Sequence, residues 1–469
     1  MSRLVRIEVR RSALLPLLPV MAALLWLSPI ANHLRPVALW TDRSSDLQSA
    51  LQFIGPFTAA ATAWMASRER RRAMTDLLSS TPRSPWRRWG ATWAGTCAVA
   101  VAFYVCFGLV LFAITSAQAT WGHPVGWPAL SGLTALIACS ALGFAAGRLA
   151  PGRVTTPLAG IGIFAAMAAG MASAVRFWGP GVLSPMYPAT SLNASVFFAV
   201  RPDLAYLQAG CYLGVAAAAL GMVVLADHGS DRAVRRGGAG LTASGLVLVA
   251  AAFGLLSTSH HDSRGLVVPL LHDAASDRLV QYTPVCVASR PIPVCLHPAY
   301  ARSNELAFFG TTVNTIAAPL AGVPGLPVHT DQARNGDQGT PDALITGTPP
   351  VLLLPDDVVQ GNSVGSAGFT ADLRTRIALA LVTPAGTDPG VQACHCRAAA
   401  VTTPAQRAAA RYLLDQAGYP ASRGLIPDDA PVTAASRRLA ALTPTARHAW
   451  FAAHIAALRV GTLTLTELP

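Results

Sequence analysis

No lysine occurs anywhere in the 469 residues, so all 35 basic side chains are arginine. That absence excludes a Walker A lysine, a pyridoxal phosphate Schiff base and a kinase lysine. If nucleotide hydrolysis drives this protein, another chain supplies it. Charge of either sign is scarce: charged residues make up 12% of the chain, about half the ~25% usual in soluble domains. With 52% hydrophobic residues, a soluble chain of this size would leave its surface largely uncharged. No H-E-x-x-H is present, and no Ser, Cys or carboxylate constellation rises above background. The chain therefore reads as a non-enzyme without a cofactor.

What is present is apolar length. Seven uncharged runs fall at approximately 14–31, 47–66, 91–115, 128–147, 157–175, 205–226 and 239–257, and none contains Asp, Glu, Arg or His. Each approaches the ~20 residues a helix needs to cross a bilayer core. A cleaved signal peptide is disfavoured, because Ser28-Pro29-Ile30-Ala31 is a poor cleavage site. The fold expected is an all-α polytopic membrane bundle of about seven transmembrane helices, followed by an α/β extracytoplasmic domain.

Orientation follows from the arginines. With the N-terminus inside, the inner segments carry 16 arginines and the outer loops 4, so the positive-inside rule predicts a cytoplasmic N-terminus. Seven crossings then place residues 259–469 outside a multi-pass plasma-membrane protein. That region holds 15 Arg and 15 Asp plus Glu, so the net charge of +12 belongs to the membrane half. The basicity reports topology and lipid contact, and nucleic acid is not an expected partner. Cys97, Cys106, Cys139 and Cys211 lie in spans as small apolar packers.

The spans hold no carboxylate, histidine or arginine for a proton or ion relay. Gln52 and Gln208, with scattered Ser and Thr, are the polar groups available. They read first as helix-to-helix hydrogen-bond partners and second as substrate contacts. A charge-free helix set suits an amphiphilic or lipid-like substrate better than a small ion.

The longest inner segment, 67–90, reads SRERRRAMTDLLSSTPRSPWRRWG. Its arginines suit the headgroup level of a membrane. Met74, Leu77 and Leu78 fall at i, i+3 and i+4 of a short amphipathic helix, which Ser79, Ser80 and Pro82 end. Trp86 and Trp89 flank arginines at the return to the membrane. The segment is either a positively charged anchor or a docking helix for a cytoplasmic partner.

The pattern Glu69, Leu77, Leu78, Thr81, Pro82, Ser84 between spans 2 and 3 of a six-helix N-in bundle resembles the permease subunits of ABC-2 type transporters. The resemblance covers about residues 1–226. Met1 to Arg11 is similar to the family's elbow, and Arg176 to Leu204 to its outer insertion. It implies an exporter whose loop, through Glu69, Met74, Leu77, Leu78, Thr81 and Pro82, couples to a separate ATP-binding cassette subunit. It also implies a homodimer or heterodimer of permeases. The loop and seventh span at 227–258 and the domain at 259–469 lie beyond the minimal family pattern. A second expectation is a membrane-anchored outer module, with binding, sensing or enzymatic activity.

In the outer region, residues 278–297 contain two β-rich stretches around Ser289 to Ile292. With those four as the turn, Cys286 stands opposite Cys295, a pairing that suits a disulfide. Cys394 and Cys396 form the second candidate pair. Four cysteines allow three pairings, and His297 and His395 offer an alternative zinc set. Further expectations are a helix from Pro298 through Tyr300, Leu306 and Phe309 towards Ala318, a strand at VLLLP within Ala343 to Val359, and a helix over Ala371 to Leu381. Thr403-Pro404 and Thr443-Pro444 cap two more helices, the second ending at Gly461. Residues 322–348, rich in Gly, Pro and Asp, read as loop. His448 and His454 lie on different faces of one helix. The region reads as a binding or structural module.

Overall fold

The computed structural model describes residues 2–27, 38–72, 84–177, 179–187, 196–227, 231–257, 260–261, 267–270, 272, 279–300, 304–332, 344–346, 349–354, 367–384 and 402–469. Helix α1 (Ser2–Arg10) and α2 (Leu18–Leu27) are followed by α3 (Trp40–Ser49), α4 (Leu51–Ala66) and the short α5 (Arg68–Arg71). Next come α6 (Pro85–Gln118), α7 (Trp127–Leu149), α8 (Thr155–Phe177), α9 (Asp203–Leu225) and α10 (Arg232–Ser257). Five of these, α6 to α10, are long and apolar enough to cross a membrane, and a sixth candidate is the pair Arg3–Arg10 and Leu15–Leu27, bent by 41°. The segment expected at 47–66 divides differently. Polar residues of WTDRSSDLQS form α3, and the apolar part is the 16-residue α4, shorter than a full crossing.

Small residues bring the helices together. A Cβ on Gly143 or Gly147 of α7 would fall on the carbonyl oxygens of Ala59 and Ala63 of α4. In the antiparallel pair α9 and α10, a Cβ on Gly214 would lie 2.7 Å from the Gly245 carbonyl oxygen, and one on Gly221 2.7 Å from that of Gly238. Such close backbone approach is how helices associate when hydrophobic burial cannot drive them. Inside the bundle Thr58, Thr62, Thr96, Thr115, Ser131 and Ser140 are fully buried. The hydroxyls of Thr58, Thr62, Thr96 and Thr115 donate to the carbonyl four residues earlier, so burial leaves them satisfied. Outside, Leu109, Ile161 and Val247 are each about two-thirds exposed. Of the four span cysteines, Cys97, Cys139 and Cys211 are buried, whereas Cys106 faces outward.

The second half is an α/β unit. Its sheet has the order β3-β4-β5-β7-β6, from β3 (Val285–Val287), β4 (Val294–Leu296), β5 (His329–Gln332), β6 (Leu344–Thr346) and β7 (Val351–Leu354). The outer pairs are antiparallel and the central β4-β5-β7 run is parallel. Helix α11 (Asn304–Ala317) crosses from β4 to β5, as a parallel neighbour requires. Around it pack α12 (Ala367–Val382), α13 (Pro404–Gln416), α14 (Ala430–Ala441) and α15 (Pro444–Val460), over a core that includes Leu296, Phe309, Ile377, Leu413 and Phe451. A separate two-stranded ribbon pairs His260–His261 (β1) with Val267–Val268 (β2).

Local signals fare well here. Cys286 and Cys295 are opposed in the β3-β4 pair and joined by a disulfide. Thr403 and Gln406 make a complete capping box, Thr443 caps α15, and Gly461 ends it at φ 81°. Two expectations are corrected. Pro298 opens a 3-10 turn, Pro298–Tyr300, and the α-helix is Asn304–Ala317. Within 322–348, expected as loop, His329–Gln332 forms the middle strand of the sheet and Leu344–Thr346 an edge strand. The strand HTDQ buries Thr330 and Gln332; Thr330 Oγ1 accepts the Cys295 N–H and Gln332 Oε1 the His297 N–H, so no apolar alternation marks it.

Candidate functional site

Two ends of the bundle carry the polar chemistry. At the arginine-rich end, α5 brings Glu69 against the last turn of α7 and the first turns of α6. One Glu69 oxygen lies 3.1 Å from Arg148 Nη1 and accepts a hydrogen bond of 3.4 Å from Trp89 Nε1. The Arg148 guanidinium sits 3.9 Å over the Trp89 ring. The carboxylate is mostly buried, so charge-assisted bonding and cation-π contact act with little water between them. Beside it Arg68 bonds Glu8 of α1 at 2.9 Å, and α1 lies close on α6, where a Cβ on Gly95 would be 2.8 Å from that of Glu8. Arg71 stacks on Trp64 at 3.3 Å and donates to its carbonyl. Two carboxylates thus tie four elements into one rigid base for the loop that follows. Of the expected coupling residues, Glu69 is in that base, while Met74, Leu77, Leu78, Thr81 and Pro82 lie outside the described residues.

At the opposite end a polar knot closes the bundle. Gln48 Nε2 donates to Gln208 Oε1 at 3.0 Å, and Ser131 Oγ donates to the same oxygen at 2.6 Å. Gln208 Nε2 donates to the carbonyls of Val182 and Tyr187, and Gln48 Nε2 also reaches Tyr187 at 2.7 Å. The segment Gly179 to Tyr187 is thereby stitched to α3, α7 and α9. Gln208 plays the expected helix-to-helix role. Its partner is Gln48, one turn before the Gln52 singled out from sequence.

The α/β unit is seated on this end. Thr120 Oγ1 donates to the Pro298 carbonyl at 2.6 Å, and Val280 N to the Phe197 carbonyl at 2.9 Å. Arg201 Nη2 donates to the Val267 carbonyl and lies 3.3 Å from Asp203, which also meets His272 Nδ1 at 2.9 Å.

At the centre stands His297, with no exposed surface. Ring centroids surround it at 4.4 Å (Tyr282), 5.1 Å (Trp121), 5.4 Å (Phe197) and 6.4 Å (Tyr300). Trp121 and Phe197 come from bundle loops, Tyr282 and Tyr300 from the α/β unit. His297 Nδ1 accepts the Ala299 N–H at 3.1 Å, which assigns the proton of the neutral ring to Nε2. Burial among apolar rings pushes its pKa down to about 4. The imidazole is a neutral aromatic post at the junction. Sequence had marked His297 only as a possible zinc ligand, and the disulfide takes its neighbour Cys295 and also Cys286 out of that set. Cys394, His395 and Cys396 lie outside the described residues. His448 Nε2 meets the Ala321 carbonyl at 3.0 Å, and His454 stacks on Trp450, both packing roles.

Compared with protein-family models, curated proteins and solved structures, the chain finds no match in any of the three.

Proposed function

We propose that this chain is the membrane-spanning permease subunit of an ABC-2 type exporter for an amphiphilic or lipid-like substrate, energised by a separate ATP-binding subunit. In this reading the helices cross the plasma membrane with the N-terminus and residues 67–90 in the cytoplasm, and the α/β unit is extracytoplasmic. The observation that carries the reading is the grip of Arg148 and Trp89 on Glu69. A partner pushing on the segment after Glu69 would push directly on the ends of α6 and α7, which run to the opposite face where the α/β unit sits. An anchor alone has no need of a rigid link between its loop and two helices. The small-residue helix contacts suit helices that slide while an amphiphile passes.

A second reading, a membrane-anchored outer module, is favoured by one feature. The His297 box fastens the α/β unit to the bundle, as a sensor or binding module would require.

Co-purification under gentle extraction separates them. The double variant Leu77→Asp, Leu78→Asp should lose an ATP-binding subunit, since each leucine buried at an interface contributes ~1.5–3 kcal/mol, while Arg71→Gln with Arg72→Gln should retain it. If the leucine variant holds its partner at wild-type levels, or if no ATP-binding subunit co-purifies with the wild type, the permease reading fails.

A further inference from the structure

A cavity of about 790 Å³ lies where the bundle meets the α/β unit. This is within the ~300–1,000 Å³ of small-molecule sites. Three indoles, Trp40, Trp121 and Trp127, line it together with Leu130, Val200 and Val280. Among the described lining residues there is no Asp, Glu or Arg, and His123 and Thr41 are the main polar side chains. An ionised group would lose its hydration there without gaining a partner, so the wall selects an uncharged, apolar body. Trp40 and Trp127 open α3 and α7, and in a membrane-spanning bundle such tryptophans lie at the lipid–water boundary. The cavity therefore stands where one chain of an amphiphile can leave the bilayer without entering water. Its far wall, Val280 and Ala299, belongs to the α/β unit beside the His297 box.

We infer that this junction cavity binds a single acyl or alkyl chain of an amphiphile, whose polar head stays outside the indole-lined chamber. The inference rests on the membrane-permease reading for its location and names the substrate part that reading leaves open, but its test needs no ATP-binding subunit. Loss of ATPase coupling and loss of chain binding are separate outcomes.

The full chain in lipid nanodiscs is photolabelled with a diazirine-bearing C16 fatty acid, and the labelled peptides are mapped. Wild-type protein should show saturable labelling on peptides covering 119–130 and 196–200, displaced by excess unlabelled palmitate. Lysophosphatidylcholine as competitor distinguishes the source, since displacement by it and not by palmitate assigns the chain to a phospholipid. Gly126 lines the cavity at φ −82°, where an added Cβ meets nothing within 4 Å. Gly126→Phe, and Val200→Trp from another wall, should cut junction labelling about tenfold, as expected when a chain loses the burial of roughly two methylenes. Labelling on the outward face of α8 around Ile161 should not change. Junction labelling that neither competitor displaces, or that matches the lipid-facing background, overturns the proposal. So does labelling that survives both filling variants with intact melting behaviour.

Discussion

The two halves of the molecule both bury apolar side chains but differ in what else they bury and in what they expose. In the bundle, buried glycine, alanine, threonine, serine and two glutamines pack among Leu51, Ile54, Leu136 and Phe144, while the outer surface carries Leu109, Ile161 and Val247. In the α/β unit the fully buried residues include Leu296, Phe309, Ile316, Leu352, Ile377 and Phe451. In the membrane-spanning reading the difference is one of solvent. Where water surrounds a fold, burying apolar area drives it; where hydrocarbon does, apolar side chains gain nothing by going inside, and close backbone contact with satisfied polar groups takes over. The junction at His297 is where the two regimes meet, and it is built from aromatic rings and backbone carbonyls that suit both.

The comparison breaks most visibly through glycine. Gly143→Leu drives a side chain into the Ala59 backbone, and overpacking against backbone should cost about 3 kcal/mol, the upper end of the usual range. The full chain should lose its cooperative melt or fall sharply in yield. Gly162→Leu in α8, whose Cβ meets nothing within 4 Å, should melt like wild type. Equal damage from both would show that contact distance is not what holds the bundle.

The disulfide sharpens the contrast from the other side. Cys286→Ser with Cys295→Ser should destabilise the α/β unit by about 2–3 kcal/mol, the chain-entropy value for a loop of that length. Cys139→Ser, inside the bundle, removes no crosslink. Proteolysis that speeds up within 279–469 and not within the helices is the expected readout. Acceleration in the helices instead would mean that the two regions do not melt independently.

The smallest effect is on pH. His297 is held near a pKa of about 4 when docked and returns towards ~6.5 when released. The released state then binds the extra proton, so docking is at full strength above ~6.5 and weakens as pH falls through that window towards about 4, having lost on the order of 2 kcal/mol by about pH 5. Hydrogen exchange at 279–300, followed from pH 7.5 to 4.5, should rise, and His297→Phe should flatten the profile. A wild-type profile without slope would remove His297 from the junction's energetics.

Legibility divided along the same line. The Cys286 and Cys295 pairing, the caps at Thr403 and Thr443 and the stop at Gly461 were readable because each depends on a few neighbouring residues. Gly143 and Gly147 stand four residues apart in the sequence, but nothing in that spacing names Ala59 and Ala63 as the surface they meet. Strand His329–Gln332 was missed because a central strand satisfied by Thr330 and Gln332 side chains looks like a polar loop. At the loop, Glu69 stood out by its spacing, whereas Arg148, 79 residues away, carried no mark as its partner.

By itself the sequence determined the apolar lengths, the one-sided distribution of arginine, the absence of lysine chemistry and the local starts and stops of helices, since these are properties of composition or of short spacing. Only the tertiary structure decided that Gln48 and not Gln52 would meet Gln208, that Arg148 and Trp89 would grip Glu69, and that Trp121, Phe197, Tyr282 and Tyr300 would close around His297. Those groups converge from distant parts of the chain, and no periodicity records a contact whose two sides are brought together only by the packing of everything between them.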